Sequence, residues 1–203
     1  MKRFFGVPIT RWASPRDRLH VYVLPGERLS AQLAVRQKAL DGIAYCSTQP
    51  VANLHATVQQ FALTTGEVPA DRLAAFGDGL AGLALRTTPF SVPLGPPVVG
   101  EHTLGVRGHL TQRWMDLTAA IRELALATFH ADVVLPAPPS RPHVSLGYGL
   151  AEGSSTVIQD RADGLHHGVL PDLRVDALHL LAVHQDEIRG AYTWDSLGVC
   201  ALG

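Results

Sequence analysis

The 203-residue chain reads as an α+β protein with two similar lobes. Short runs of apolar β-formers alternate with amphipathic stretches at helical spacing. The order strand, helix, then a strand bearing His-x-Thr or His-x-Ser occurs once in each half, although no repeat is obvious residue by residue. Hydrophobic residues make up 46% of the chain, ample for a packed core and contrary to disorder.

Residues 1–17 read as an irregular N-terminal arm and 18–203 as one bilobal domain. Leu19 to Leu24 is an apolar run closed by Pro25-Gly26, hence a buried strand. From Glu27 to about Leu40, Leu29, Leu33 and Leu40 recur among charges as in a helix. Residues 52–63 read as a strand, broken by Thr64-Thr65-Gly66, and Pro69 fits the first turn of a helix reaching about Leu85. The Pro, Gly and Val-rich stretch 89–108 predicts short strands with turns. Thr111 fits the N-cap of a helix over 112–129, with Trp114, Leu117, Ile121, Leu124 and Ala125 on one face. A Pro-rich loop, 136–142, leads to a strand over 143–149, and a short helix follows near 154–163. Two strands, about 174–183 and 191–202, close the chain around the polar turn Gln185-Asp186-Glu187.

Composition excludes several function classes. Lys+Arg number 17 against 18 Asp+Glu, a net charge of −1, so no basic stripe for gripping long nucleic acid by counterion release is expected. Any nucleic-acid substrate is held locally, at an end or as a nucleotide. Cys46 and Cys200 are the only cysteines and share no metal-ligand spacing. The start Met1-Lys2-Arg3-Phe4-Phe5 hints at a leader, but Pro8 and Arg11 cut the apolar stretch short. No run approaches the roughly 18 apolar residues that span a bilayer. A soluble cytoplasmic protein with no membrane association is expected.

The chemistry-bearing pattern is Asn53-Leu54-His55-Ala56-Thr57-Val58 and Arg141-Pro142-His143-Val144-Ser145-Leu146. Strand side chains alternate faces, so His55 and Thr57 share one face while Leu54, Ala56 and Val58 take the other. His143 and Ser145 likewise face away from Val144 and Leu146. With 10 His and 22 Ser or Thr, about one His-x-Ser/Thr arises by chance. A third copy, His109-Leu110-Thr111, follows Gly108 and ends on a helix cap, so it is a decoy. Strand context separates the other two from it.

With these residues in view, the sequence resembles the 2H phosphoesterase superfamily, the group of 2′-5′ RNA ligase-like proteins and 2′,3′-cyclic phosphodiesterases. His55-Ala56-Thr57-Val58 and His143-Val144-Ser145-Leu146 match its HxTx motifs, one per half and 88 residues apart. The first strand ending Val23-Leu24-Pro25 and the closing hairpin with Tyr192 also match, so the resemblance covers roughly 18–203. It implies two antiparallel sheets facing a central cleft, with helices outside. Two departures stand out: Ser145 replaces Thr and keeps the hydroxyl, and Tyr148 stands where many relatives carry a basic residue.

The implied activity is metal-independent hydrolysis of a 2′,3′-cyclic phosphate, on an RNA end or small nucleotide, to a 2′-phosphate. One histidine takes a proton from water and the other protonates the leaving ribose oxygen. Imidazole suits both roles because its pKa of about 6.5 lies near working pH. His143 is assigned as base and His55 as acid. Near symmetry lets the roles exchange, and the reverse reaction is 2′-5′ ligation. Thr57 and Ser145 donate hydrogen bonds to the phosphate oxygens. No cofactor or metal is implied.

Arg141 either binds phosphate or is a solvated loop residue. Tyr148 either stacks on a base or packs against a helix, and His20 and Tyr22, on one strand face, are candidate substrate contacts. His179 and His184 fall on opposite faces, a poor metal pair; His166-His167 read as surface residues. Ser145 lacks the preceding glycine of a hydrolase elbow, and Gly77, Gly79 and Gly82 lie in a helical pattern, not a phosphate loop. Competing readings are 2′-5′ oligonucleotide cleavage or ligation, a non-catalytic nucleotide-binding module, and a metal-dependent hydrolase using other histidines.

Overall fold

The computed structural model describes residues 1–7, 12–129, 135–165 and 168–203. Among them, a four-stranded antiparallel sheet contains β1 (Arg18–Val23), β2 (Ala56–Thr64), β8 (Ala177–Asp186) and β9 (Ala191–Ala201) in the order β2-β1-β8-β9. A three-stranded sheet contains β4 (Leu94–Val99), β5 (Thr103–Gly108) and β6 (His143–Tyr148) in chain order. The expected two sheets are joined by a third, two-stranded one, β3 (Phe90–Val92) with β7 (Leu173–Val175). Strand β3 runs into β4 across Pro93, and β7 into β8 across Asp176, so this small pair couples the two larger sheets. No closed barrel forms among the described residues.

The helices follow from their apolar stripes and caps. In α1 (Glu27–Gln37), Leu29 and Leu33 are buried four residues apart. In α2 (Ala70–Leu85), Phe76, Leu80 and Ala84 keep the same spacing. The N-cap of α3 (Gln112–Phe129) is Thr111, whose hydroxyl accepts from the Trp114 N–H at 3.3 Å. Ser154 caps α4 (Ser155–Gly164) in the same way through Val157. Helices α2 and α3 pack over one face of the large sheet, where Phe61, Phe76 and Phe129 meet edge-on and tilted. The opposite face carries a second apolar layer, Phe5, Tyr22, Tyr148, Leu181, Val183 and Tyr192. That aromatic layer floors the space between the sheets.

Three boundaries differ from the sequence expectation. The helix from Glu27 ends at Gln37 and tightens into a 3₁₀ turn over Lys38–Leu40. The strand expected from residue 52 starts at Ala56, because Val51–Asn53 form a 3₁₀ turn after Pro50. Gln185 and Asp186 belong to β8, and the reversal is 187–190, ending on Gly190 with φ of 64°. The first residues have no helix or strand, and they are tied down by contacts with the rest of the chain. The Phe4 N–H donates to the Gly149 carbonyl at 2.8 Å, and a Cβ at Gly149 would collide with the Lys2 carbonyl.

One segment holds the sheets in register with each other. Residues 46–49 lie along the free edge of β6: Ser47 N–H donates to Tyr148 O at 2.8 Å, and Gln49 N–H to Leu146 O at 3.0 Å. The Gln49 side chain, fully buried, donates to the carbonyls of Asn53 and Tyr192 and accepts from the Tyr192 N–H. Gln37 donates to Gln49 O and Leu146 O. Replacing Gln49 with Ala leaves buried groups of Asn53 and Tyr192 without these partners. The expected loss is about 2–4 kcal/mol, read as a lower midpoint in urea unfolding.

Candidate functional site

Between the large and the three-stranded sheet lies an open cavity of about 480 Å³. Seven of the eight residues singled out from the sequence line it: His20, Tyr22, His55, Thr57, His143, Ser145 and Tyr148. Arg141 lines an adjoining cavity that shares His143 and Ser145 with the first. His55 stands immediately before β2, with Leu54, Ala56 and Val58 turned into the core as alternation requires. Across the cavity, Val144 and Leu146 are buried behind His143 and Ser145.

The two imidazoles are oriented alike. His55 Nδ1 lies 2.8 Å from the carbonyl of Asn53, and His143 Nδ1 lies 3.2 Å from the carbonyl of Arg141, each two residues back. A carbonyl accepts only, so Nδ1 carries the hydrogen and Nε2 is the nitrogen left for a ligand. Tyr22 fixes the His55 ring from below, stacked at 4.1 Å with an interplanar angle of 8°, and Trp194 meets it edge-on. The hydroxyls stand beside tyrosines: Thr57 is the cross-strand partner of Tyr22, and Ser145 shares the cavity wall with Tyr148.

Each motif strand carries one extra residue just after its hydroxyl. Tyr22 faces Thr57 and Val21 faces Gln59, so Val58 is the bulged residue. Gly105 faces Ser145 and Leu104 faces Gly147, so Leu146 is its counterpart. A bulge returns the residue three positions after the hydroxyl to the hydroxyl's own face. Gln60 and Tyr148 consequently enter the cavity, whereas strict alternation would turn both away. Tyr148 packs against Phe4, Phe5 and Tyr192, not against a helix.

Burial dominates the electrostatics. It pushes His55 down to about 4, helped by the charge of His143 and opposed by the Asn53 hydrogen bond. Burial also lowers His143, with the neighbouring Arg107 cation adding to the effect. His20 is pushed down to about 3 by burial and by the charges of Arg18 and His55. All three rings are therefore neutral at pH 7.

Sequence reasoning missed Arg107 and the wall built by the arm. Arg107 pairs directly with His143 across β5 and β6 and lines both cavities. Cross-strand neighbours share a face, so this register is the signal that would have found it. Phe4, Trp12 and Tyr192 line the other end of the first cavity. Arg18 sits 4.8 Å over the Trp12 ring. His109 is exposed and outside both cavities, as expected of a decoy. His166 and His167 lie outside the described residues. Among the described residues the one cluster of metal-ligand type is Asp17, His184 and Asp195. There His184 Nδ1 accepts from the Asp17 N–H, and Nε2 lies 3.2 Å from Asp195, so both ring nitrogens are already engaged.

Two facing antiparallel sheets with helices outside make a two-lobed fold that the chain shares with solved structures. Among solved structures, TT0787 of Thermus thermophilus superposes with a TM-score of 0.70 at 19% identity, over 91% of this chain and 97% of that one. E. coli LigT superposes with a TM-score of 0.64 at 18% identity, over 92% and 98%, both in its apo form and in complex with 3′-AMP. No family model and no curated protein matches the chain. The likeness is one of fold.

The depressed histidines make stability depend on pH. Below 6.5 the unfolded chain takes up protons that buried His55 and His20 refuse until about 4 and about 3, so their contribution is intact above 6.5 and lost as pH falls. Each is expected to remove about 2 kcal/mol between pH 7 and pH 5. Urea unfolding at the two pH values checks this, and His20→Gln should make the drop smaller by about its own share.

Proposed function

We propose that the protein is a metal-independent phosphodiesterase acting on a nucleotide or RNA end that carries a 2′,3′-cyclic phosphate. The observation that carries this reading is the pair of imidazoles, each tied through Nδ1 to the carbonyl two residues back, with Nε2 on one shared cavity beside a hydroxyl. That is what an in-line displacement at phosphorus needs: a base on the entering side and an acid on the leaving side. The aromatic end of the cavity suits a nucleobase, which stacks on rings such as Phe4. LigT, of the same fold, binds 3′-AMP and phosphate in its solved complexes, which supports a nucleotide ligand.

In this reading His143 Nε2 takes a proton from water, whose oxygen bonds to phosphorus. The bond to the ribose 3′ oxygen breaks, and that oxygen receives a proton from His55, leaving a 2′-phosphate. Burial, with the Arg107 cation beside it adding to the effect, disfavours a charge on His143 and so keeps it a neutral base. His55 is made reluctant to hold a proton by burial, with the charge of His143 adding to it; an entering phosphate anion supplies the negative charge that raises its pKa. Thr57 and Ser145, which line the cavity beside the histidines, donate to the non-bridging oxygens as charge builds. The near mirror arrangement of the two histidines also permits the cleavage of 2′-5′ linkages to a 2′,3′-cyclic phosphate and its reverse. In that reverse a 5′-hydroxyl oxygen bonds to the phosphorus of a cyclic phosphate and gives up its proton to one histidine, and the released 3′ oxygen takes a proton from the other.

Incubation with the four 2′,3′-cyclic nucleotides should yield 2′-phosphates, with turnover insensitive to chelator. His55→Ala and His143→Ala should each lower kcat by about 10²–10⁴-fold, and Thr57→Ala by about 10²-fold. Full activity of His143→Ala overturns the assignment. The kcat/KM profile should be bell-shaped with its maximum below pH 6.5, since the free-protein histidines are both depressed. The kcat profile should lie at higher pH, because bound phosphate raises the acid.

A further inference from the structure

The cleft does not end at the histidines. On the far side of His143 and Ser145 it continues into a second cavity of about 450 Å³, which shares Thr103 and Arg107 with the first. Its lining is polar, and its charged side chains are Arg107 and Arg141 alone; no carboxylate lines it. Among the described residues neither arginine takes part in an ion pair, unlike Arg174 and Arg189, which are matched to Asp176 and Asp186. The protein as a whole carries a net charge of −1, so two unmatched guanidinium groups in one cavity are a local feature. Planar guanidinium groups bind phosphate oxygens through paired N–H donors.

The position of this cavity is fixed relative to the reacting centre. The Arg141 carbonyl is the group that orients His143 through Nδ1, and Arg107 is the direct cross-strand partner of His143. Pro142 is buried and its carbonyl accepts from the Gly108 N–H at 2.7 Å, which anchors the backbone between Arg141 and His143 to the end of β5. A ligand held by the two arginines is thereby set at a constant offset from a phosphate held between the histidines. A mononucleotide with a cyclic phosphate has one anionic group and fills one cavity. A strand has a second.

We propose that the second cavity is an anion subsite that receives the phosphate of a neighbouring nucleotide, so that the preferred substrate is a short oligonucleotide. The subsite lends specificity for length without the basic surface that long nucleic acid requires. This inference rests on the phosphodiesterase reading for its kinetic form only, because the subsite also has a binding readout.

The test compares adenosine 2′,3′-cyclic phosphate with di- and trinucleotides that end in the same group. The kcat/KM should rise about tenfold or more from mono- to oligonucleotide, and this ratio should collapse toward one in Arg141→Gln and recover in part in Arg141→Lys. Raising salt should erode the oligonucleotide advantage in the wild type and much less in Arg141→Gln. Equal kcat/KM at all lengths, or an equal loss on every substrate in Arg141→Gln, overturns the proposal. If the wild type turns over none of them, the phosphodiesterase reading fails. The subsite then stands or falls on calorimetry with 3′-AMP against a 5′-phosphorylated dinucleotide 3′-phosphate: a preference for the dinucleotide that Arg141→Gln abolishes supports it, and no preference overturns it.

Discussion

Everything at the cleft depends on how the edge of β6 is closed. A lone three-stranded sheet would leave that edge unpaired. Residues 46–49 occupy it, and Gln37 and Gln49 satisfy the buried carbonyls that the irregular chain leaves open. The same few residues reach Asn53, whose carbonyl orients His55, and Tyr192 on β9. A single buried amide network thus touches β6, the entry to β2 and the closing hairpin. The two motif strands are tied by hydrogen bonds as well as by the one apolar core that holds Leu54, Ala56, Val144 and Leu146.

Around that frame the cleft is built to favour neutral rings and fixed tautomers. Burial under an aromatic layer removes the water that would stabilise an imidazolium, and the i−2 carbonyls decide which nitrogen faces the cavity. Such a site holds little charge of its own apart from Arg107 on one side and Glu101 near the arm. The charge that activates it must therefore come with the ligand. An anion entering between the histidines supplies both the reason for protonation and the group to be protonated.

Much of this was legible in the sequence, and the limits have physical causes. Alternation around His55 and His143 shows at once which residues are core and which face the cleft, because Leu54, Ala56, Val144 and Leu146 have nowhere else to go. Caps at Thr111 and Ser154 mark helix starts through local hydrogen bonds. Register is not local, so Arg107 could not be placed opposite His143, nor Tyr148 on the face of Ser145. The arm was the least legible part. Met1 to Phe5 have no periodicity, and their order comes from contacts with Gly149, Gly153 and Glu101, all about a hundred residues or more away in the chain.

The two bulges have a consequence for how such a cleft diversifies. Histidine and hydroxyl precede the extra residue on each strand, and Gln60 or Tyr148 follows it on the same face. The reacting pair and the third position are separated by a kink that absorbs small shifts of the strand beyond it. A change at the third position alters the wall a ligand meets while leaving the geometry of the pair in place. Each half of the molecule thus carries a freer position beside a constrained one, and at 148 a large aromatic residue stands there without disturbing the histidines.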